Sequence, residues 1–232
     1  YCAFVSQRED PEGDIYVMKI DPKKMIAEGS SPETLRSYDA DAVNLTQMKD
    51  PSSGTVLIIK DGSPAWSPDG KTIAFSSMRG GAENIWLMDR RGKNMRQITH
   101  GGGLYPRFSE DGKKIVFISY RDEGSNGDIY IVDLATGSEK RITATPDIEL
   151  APTFLENSDE LVYTRINIDT DGDGHVSLKD NSVLYYKNLR TGLAYPLTLY
   201  GVSSFSPQWS PVYGGIIVYS EQSGRNINVN II

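Results

Sequence analysis

The chain has 232 residues, of which 38% are hydrophobic, and its formal net charge is −7. This acidic balance argues against nucleic acid as the main partner, because phosphate binding requires a basic surface. The longest aliphatic run, Val56 to Ile59, is too short for a membrane span, and the single cysteine excludes an internal disulfide and a thiolate zinc cluster.

The first unit of the chain covers residues 1–46. Tyr1 to Ser6 predicts a strand that corresponds to the second strand of later units, so the first strand of this unit is missing. Residues 22–41 form an insertion in which Ser31-Pro32-Glu33 indicates a helix start, which predicts a short helix over Thr34 to Tyr38. A second insertion, residues 47–63, predicts an extra strand within Thr55 to Lys60.

Variants of the stretch from Ser63 to Ser77 recur through the rest of the chain. Each variant contains a proline that we expect to begin the first strand, an aromatic residue two positions later, and a second aromatic residue in the second strand. The third strand carries a branched residue followed by an aromatic one, and the short fourth strand ends in threonine. The recurring prolines are Pro64, Pro106, Pro152 and Pro207, and the recurring threonines are Thr46, Thr99, Thr143 and Thr198.

Four short strands at a period of roughly 40 to 50 residues are typical of a β-propeller blade. We therefore predict an all-β fold in which one propeller of four-stranded antiparallel blades spans residues 1–232. About five blades are represented, and the last lacks its fourth strand. We expect them to be part of a larger ring in a longer polypeptide. The units cover residues 1–46, 64–99, 106–143, 152–198 and 207–232.

One connection in the fourth unit, residues 169–180, has the spacing of a twelve-residue calcium loop. Oxygen side chains occupy positions 1, 3 and 5, glycine occupies position 6, and a main-chain carbonyl is expected to bind from position 7. The predicted Ca²⁺ ligands are Asp169, Asp171, Asp173, His175 through its carbonyl, Ser177 and Asp180.

The spacing of this loop resembles the calcium loops of dockerins and EF-hands over these twelve residues only. An EF-hand requires a helix on each side, whereas Leu161 to Ile168 and Val183 to Leu189 predict strands. The alternative is a solvated Asp-Gly turn without metal. Alternate connections of an antiparallel sheet lie at opposite ends, so loop 169–180 and insertion 47–63 share one face. These elaborations indicate a docking face, or they cover neighbouring blades.

The sequence Pro-Ala-Trp-Ser-Pro-Asp-Gly-Lys-Thr-Ile-Ala-Phe at 64–75, followed by Asn-Ile-Trp-Leu-Met-Asp and Arg-Gln-Ile-Thr, resembles the TolB-type propeller repeat. The resemblance implies a bacterial or archaeal scaffold, periplasmic or extracellular, that holds other proteins. Similar repeats form the propeller domain of prolyl-oligopeptidase-type peptidases.

The residues offer little support for catalysis. His100 and His175 belong to different units, and no Gly-x-Ser-x-Gly nucleophile motif is present. We therefore expect a non-catalytic, calcium-stabilised propeller that binds a protein or an extracellular polymer as a component of a larger assembly. The alternative is the propeller domain of a larger hydrolase whose catalytic domain is absent from this chain.

Overall fold

The computed structural model describes residues 1–21, 23, 40–156, 158–210, 215–223 and 226–232. Five antiparallel sheets are arranged as the blades of a β-propeller, which confirms the predicted all-β class. The predicted helix at 34–38, and most of insertion 22–41, lie outside the described residues. No helix in the described part of the chain has the length and apolar character needed to cross a bilayer.

In the described residues, the first blade contains three strands, β1 (Cys2–Ser6), β2 (Asp14–Met18) and β3 (Val43–Asn44), in that spatial order. A separate two-stranded hairpin follows, formed by β4 (Met48–Lys49) and β5 (Val56–Leu57). The extra strand predicted within residues 55–60 is therefore confirmed as β5.

The next three blades contain four strands each, and the fifth contains three in the described residues. In every blade, strands that follow each other in sequence are hydrogen-bonded neighbours. The second to fourth blades comprise β6 (Asp61–Trp66), β7 (Thr72–Ser77), β8 (Asn84–Asp89) and β9 (Arg96–Gln97); β10 (Leu104–Phe108), β11 (Lys114–Ser119), β12 (Asp128–Asp133) and β13 (Glu139–Arg141); and β14 (Ile148–Phe154), β15 (Glu160–Ile166), β16 (Val183–Asn188) and β17 (Ala194–Pro196). The fifth blade comprises β18 (Ser203–Ser210), β19 (Ile216–Ser223) and β20 (Asn226–Ile231).

The prediction that the recurring proline begins the first strand is wrong. Strand β6 begins at Asp61, and Pro64 lies inside it, where the pairing with β7 shifts register between Gly62 and Ala65. The residue before each proline has a positive φ, for example 50° at Ser63 and 53° at Tyr105. A β-bulge leaves one residue unpaired, so proline's missing donor costs no ladder bond there.

Hydrophobic side chains fill the spaces between neighbouring blades. Ile85 and Leu87 of β8 pack with Ile115 and Phe117 of β11, and all four are buried. The middle strands have neighbours on both faces, and therefore a run such as Ile115 to Ile118 is buried continuously instead of alternating with exposed residues. Each blade depends on the next for its core.

The recurring threonine has a structural role that explains its position. Its hydroxyl accepts a hydrogen bond from the main-chain N–H of the branched residue in the third strand. The fourth strand was predicted to include this threonine, but β9 ends at Gln97, because the side chain of Thr99 replaces a main-chain acceptor. The four bonds join Ile15 to Thr46 (2.8 Å), Ile85 to Thr99 (2.9 Å), Ile129 to Thr143 (2.8 Å) and Leu184 to Thr198 (3.0 Å).

Replacement of Thr99 by valine tests this role. Valine keeps the shape but removes the acceptor of the Ile85 N–H, a buried donor that would be left unpaired. We expect the free energy of unfolding to fall by about 1–3 kcal/mol, measured by urea denaturation. Thr99→Ser keeps the hydroxyl and should retain most of the stability. A Thr99→Val variant as stable as Thr99→Ser would contradict the assignment.

Candidate metal site and the face that carries it

The predicted calcium loop lies between β15 and β16, the second and third strands of the fourth blade. The strands on either side pair in a continuous register from Glu160 and Asn188 to Arg165 and Val183. This confirms that strands, rather than the helices of an EF-hand, flank the loop. A rigid hairpin therefore fixes both ends of a long polar connection.

Three of the predicted ligands lie together at the tip of the loop. Asp169, Asp171 and Asp173 each offer a carboxylate oxygen, and these atoms all lie within 4.8 Å of one another. Gly172 and Gly174 have φ values of 79° and 89°, a left-handed conformation that side chains rarely adopt, and these two residues let the chain turn around the cluster. The alternating carboxylates can therefore face one point in space.

Main-chain N–H groups hold these carboxylates in place. Asp169 accepts hydrogen bonds from Gly172 N (2.7 Å) and Gly174 N (2.8 Å) through its two different oxygens. Asp171 accepts one from Asp173 N at 3.1 Å, and Asp173 accepts one from His175 N at 2.9 Å. The arrangement of the three side chains is consequently set by the loop itself.

Asp180 has a different position from the other three aspartates. It is buried, and one of its oxygens accepts hydrogen bonds from Thr170 N (2.5 Å) and Asp171 N (3.2 Å), while the other accepts one from Ser177 N (2.8 Å). These bonds, led by that from Thr170, lower the pKa of Asp180 to about 2. A lowered pKa stabilises the folded loop above the unfolded pKa of about 4, and the contribution is lost as the pH falls through 2.

The remaining predicted ligands lie on the returning half of the loop. His175 is exposed and its predicted contribution is its main-chain carbonyl, whereas Ser177 is half-buried and its hydroxyl accepts a hydrogen bond from Lys179 N at 3.2 Å. The carboxylates of Asp169, Asp171 and Asp173 therefore lie close together, whereas the hydrogen bonds of Asp180 connect the two halves of the loop.

A cavity of about 250 Å³ lies beside the loop, between β14, the first strand of the fourth blade, and β18, the first strand of the fifth blade. Leu178 and Asp180 of the loop form part of its wall. The side chain of Leu178 is 71% exposed. The other lining residues are Leu150, Ala151, Thr164, Ile166, Ser182, Ser203, Phe205, Ser206 and Gln222.

A row of arginines on the same face was missed at the sequence level. Arg79 follows β7, lies over the rings of Phe75 and Trp86 at 5.1 and 5.5 Å, and pairs with the buried Asp61 at 2.8 Å. Arg121 repeats the ring contact in the third blade. The detectable signal was the recurrent pattern Phe-x-Ser-x-Arg, which occupies residues 4–8, 75–79 and 117–121.

The anchoring role of Asp180 can be tested without metal. In Asp180→Asn, an amide NH₂ replaces one acceptor oxygen and faces main-chain donors. We expect the amides of Thr170 and Ser177 to exchange hydrogen at least about tenfold faster in a chelator-containing buffer at pH 7. Asp173→Asn, which alters only the exposed tip, serves as the control. Unchanged exchange in Asp180→Asn would rule out the anchor.

Comparisons with known proteins agree with this architecture. Residues 55–169 match the family described as TolB beta propeller domain. The Tol-Pal system protein TolB of Francisella tularensis subsp. holarctica (strain OSU18) is 36% identical over 83 residues, which are 35% of this chain and 19% of that relative. The chain therefore corresponds to only part of the relatives' length.

Two solved structures share the fold over almost the whole chain. TolB from Acinetobacter baumannii has a TM-score of 0.67 and 23% identity, and the match covers 99% of this chain and 48% of that one. A Mycobacterium tuberculosis puromycin-hydrolyzing peptidase has a TM-score of 0.61 and 12% identity, with 98% of this chain and 33% of that one covered. At these identities the structural likeness shows the fold alone.

The recurrent blade pattern, the match over residues 55–169 and the curated relatives agree with one another. The chain is a β-propeller, and its residues 55–169 match the TolB beta propeller domain.

Proposed function

We propose that this chain is a non-catalytic scaffold that binds a protein or polymer partner in a periplasmic or extracellular assembly, and that Ca²⁺ at loop 169–180 stabilises its binding face. The observation that carries the proposal is the carboxylate cluster of Asp169, Asp171 and Asp173 beside a cavity on the face with the longest described connections. A peptidase shares the fold, so the proposal depends on this site and not on the propeller as such.

Calcium suits the chemistry of the cluster. Ca²⁺ takes six to eight oxygen ligands, and three carboxylates, the carbonyl of His175 and the hydroxyl of Ser177 would supply most of them. Asp180 Oδ1 already accepts hydrogen bonds from Thr170 and Asp171, but Oδ2 accepts one from Ser177 N and has a second lone pair that can bind a cation. Without a cation, three carboxylates this close together repel one another.

Calcium should raise the thermal stability of the protein. At a free Ca²⁺ concentration 100 times the dissociation constant, binding contributes about 2.7 kcal/mol, which corresponds to a rise in Tm of roughly 5–10 °C. Calorimetry in excess calcium and in chelator measures this shift. Asp171→Asn should abolish it, because the variant removes one charge from the cluster.

Glu123→Gln provides the matched control for the calcium experiment. Glu123 is an exposed carboxylate in the corresponding connection of the third blade, so the substitution changes net charge equally on the same face. It should leave the calcium-induced shift unchanged. Melting curves of the unsubstituted protein that coincide in calcium and chelator would reject calcium binding.

The partner is proposed to dock on the face that carries the loop. The cavity beside Leu178 is lined by apolar side chains such as Ile166 and Phe205 together with several hydroxyl groups, a mixture that fits a peptide segment with an apolar side chain. The curated relatives are named as proteins of the Tol-Pal system. We therefore propose a protein of such a system as the partner, and a rigid calcium-bound loop as the wall of its binding site.

The exposed leucines of the two faces allow a direct comparison. The probe is a soluble form of Pal from Francisella tularensis, the other protein in the name of the Tol-Pal system. Leu178→Asp places a charge at the cavity and should weaken binding of this probe at least about tenfold. Leu193→Asp alters a leucine that is 57% exposed in a turn on the opposite face, and it should leave the affinity unchanged. Equal losses in the two variants, measured by microscale thermophoresis in calcium, would contradict the assigned face.

A further inference from the structure

The hydroxyl of the recurring threonine has a second partner in the first two blades. Thr46 donates to Asp14 Oδ1 at 3.1 Å, and Thr99 donates to Asn84 Oδ1 at 3.2 Å. Asp14 begins β2, which corresponds to the third strand of the four-stranded blades, and Asn84 begins β8, the third strand of the second blade. The hydroxyl therefore accepts from one main-chain N–H and donates to the side chain at the start of the same strand.

The third blade contains the corresponding residues, but the threonine hydroxyl donates its hydrogen bond to a different side chain. Asp128 begins its third strand, and Arg141, two residues before Thr143, donates to Asp128 Oδ2 at 2.6 Å. This bond parallels that from Asn44, two residues before Thr46, to Asp14 Oδ2. Asp128 Oδ1, however, has no hydrogen-bond partner among the described residues, although Asp128 is fully buried.

Glu149 accounts for the difference. This residue lies in β14, the innermost strand of the fourth blade, and is fully buried. Its carboxyl group is hydrogen bonded to the hydroxyl of Thr143 and, at 3.2 Å, to that of Thr145. The hydroxyl of Thr143 is therefore engaged with the neighbouring blade and not with Asp128.

We propose that Glu149 is a proton-dependent latch between the third and fourth blades. In the protonated state the carboxyl O–H at Oε1 donates to Thr145 Oγ1, while Oε2 accepts the hydrogen bond from Thr143, so the carboxyl group is neutral and both of its oxygens are paired. When Glu149 releases its proton, both hydroxyls must donate to a carboxylate whose negative charge is fully buried beside Asp128. The latch thus uses one proton to neutralise a carboxyl group that joins two blades.

The surroundings of Glu149 favour the protonated state. Burial raises the pKa of Glu149 to about 7, and the negative charge of Asp128 acts in the same direction, against the hydrogen bonds from Thr143 and Thr145 and the positive charge of Arg165. Arg165 and Arg141 are themselves paired with Asp147 and Asp128. The neighbouring ring of Tyr163 is also affected, since the charge of Glu149 raises the pKa of its phenol, although burial is the larger cause.

The direction of the pH effect follows from the raised pKa. A carboxyl group whose pKa is higher in the folded than in the unfolded protein stabilises the fold below the unfolded value of about 4.3. That stability is lost as the pH rises towards 7. The junction between the two blades should therefore be tightest in mildly acidic conditions.

The substitution Glu149→Gln tests the latch, because its amide is neutral at every pH, can donate to Thr145 and can accept from Thr143. In chelator-containing buffer we expect the Tm of the variant to lie within about 2 °C of the unsubstituted protein at pH 5, and to exceed it by roughly 5–10 °C at pH 8. Glu123→Gln, an exposed control, should show no such pH-dependent difference. A difference that stays constant between pH 5 and pH 8 would overturn the latch.

Two further results would also overturn it. If added Na⁺ or Ca²⁺ removes the Tm difference at pH 8, the buried carboxylates bind a metal cation and not a proton. If Glu149→Gln fails to fold, carbon-13 labelling of the glutamate carboxyl groups in the unsubstituted protein decides the matter. We expect one carboxyl signal that titrates near pH 7. Titration of all glutamates below about pH 5.5 would exclude the latch.

Discussion

The structure depends on the pairing of one main-chain N–H group in each of the first four blades with a threonine hydroxyl. Ile15, Ile85 and Ile129 are fully buried, so the N–H group of each has no access to water. An unpaired donor in that position would cost more than the hydrogen bond itself contributes. Because a side chain serves as acceptor, the outer strand can end there and the chain can cross to the next blade.

The same threonine determines at which end of the sheets the chain crosses from one blade to the next. The main-chain bond from Ile98 N to Ile85 O precedes it, and the innermost strand of the next blade starts five residues after Thr99. Every crossing between blades therefore lies at one end of the sheets, together with the connections between second and third strands. Long connections at this end begin and end next to the buried threonine hydrogen bonds. For this reason the fold can accommodate a twelve-residue acidic loop there.

Much of the fold, and half of the site, could be predicted from residue patterns. The period of the repeat identified the blades, and the alternate aspartates from Asp169 to Asp173 predicted the carboxylate cluster. The bulge around Pro64 could not be predicted, because the positive φ of Ser63 is imposed by neighbouring strands and not by serine itself. The anchoring role of Asp180 escaped prediction for a similar reason, since spacing does not show which lone pairs main-chain donors already use.

The two ends of the propeller use charge in different ways, and this difference supports the function proposed for one of them. At the end opposite the loop, Asp69 and Asp111 accept hydrogen bonds from residues within their own turns, which lowers their pKa values and makes each turn self-contained.

At the loop end, carboxylates also join separate strands, as Asp61 does with Arg79 and Glu149 does with Thr143 of the preceding blade. A ligand that changes a self-contained turn affects only that turn, whereas a proton bound at Glu149 acts on a bond between two blades. We therefore propose that binding and regulation belong to the face that carries residues 169–180.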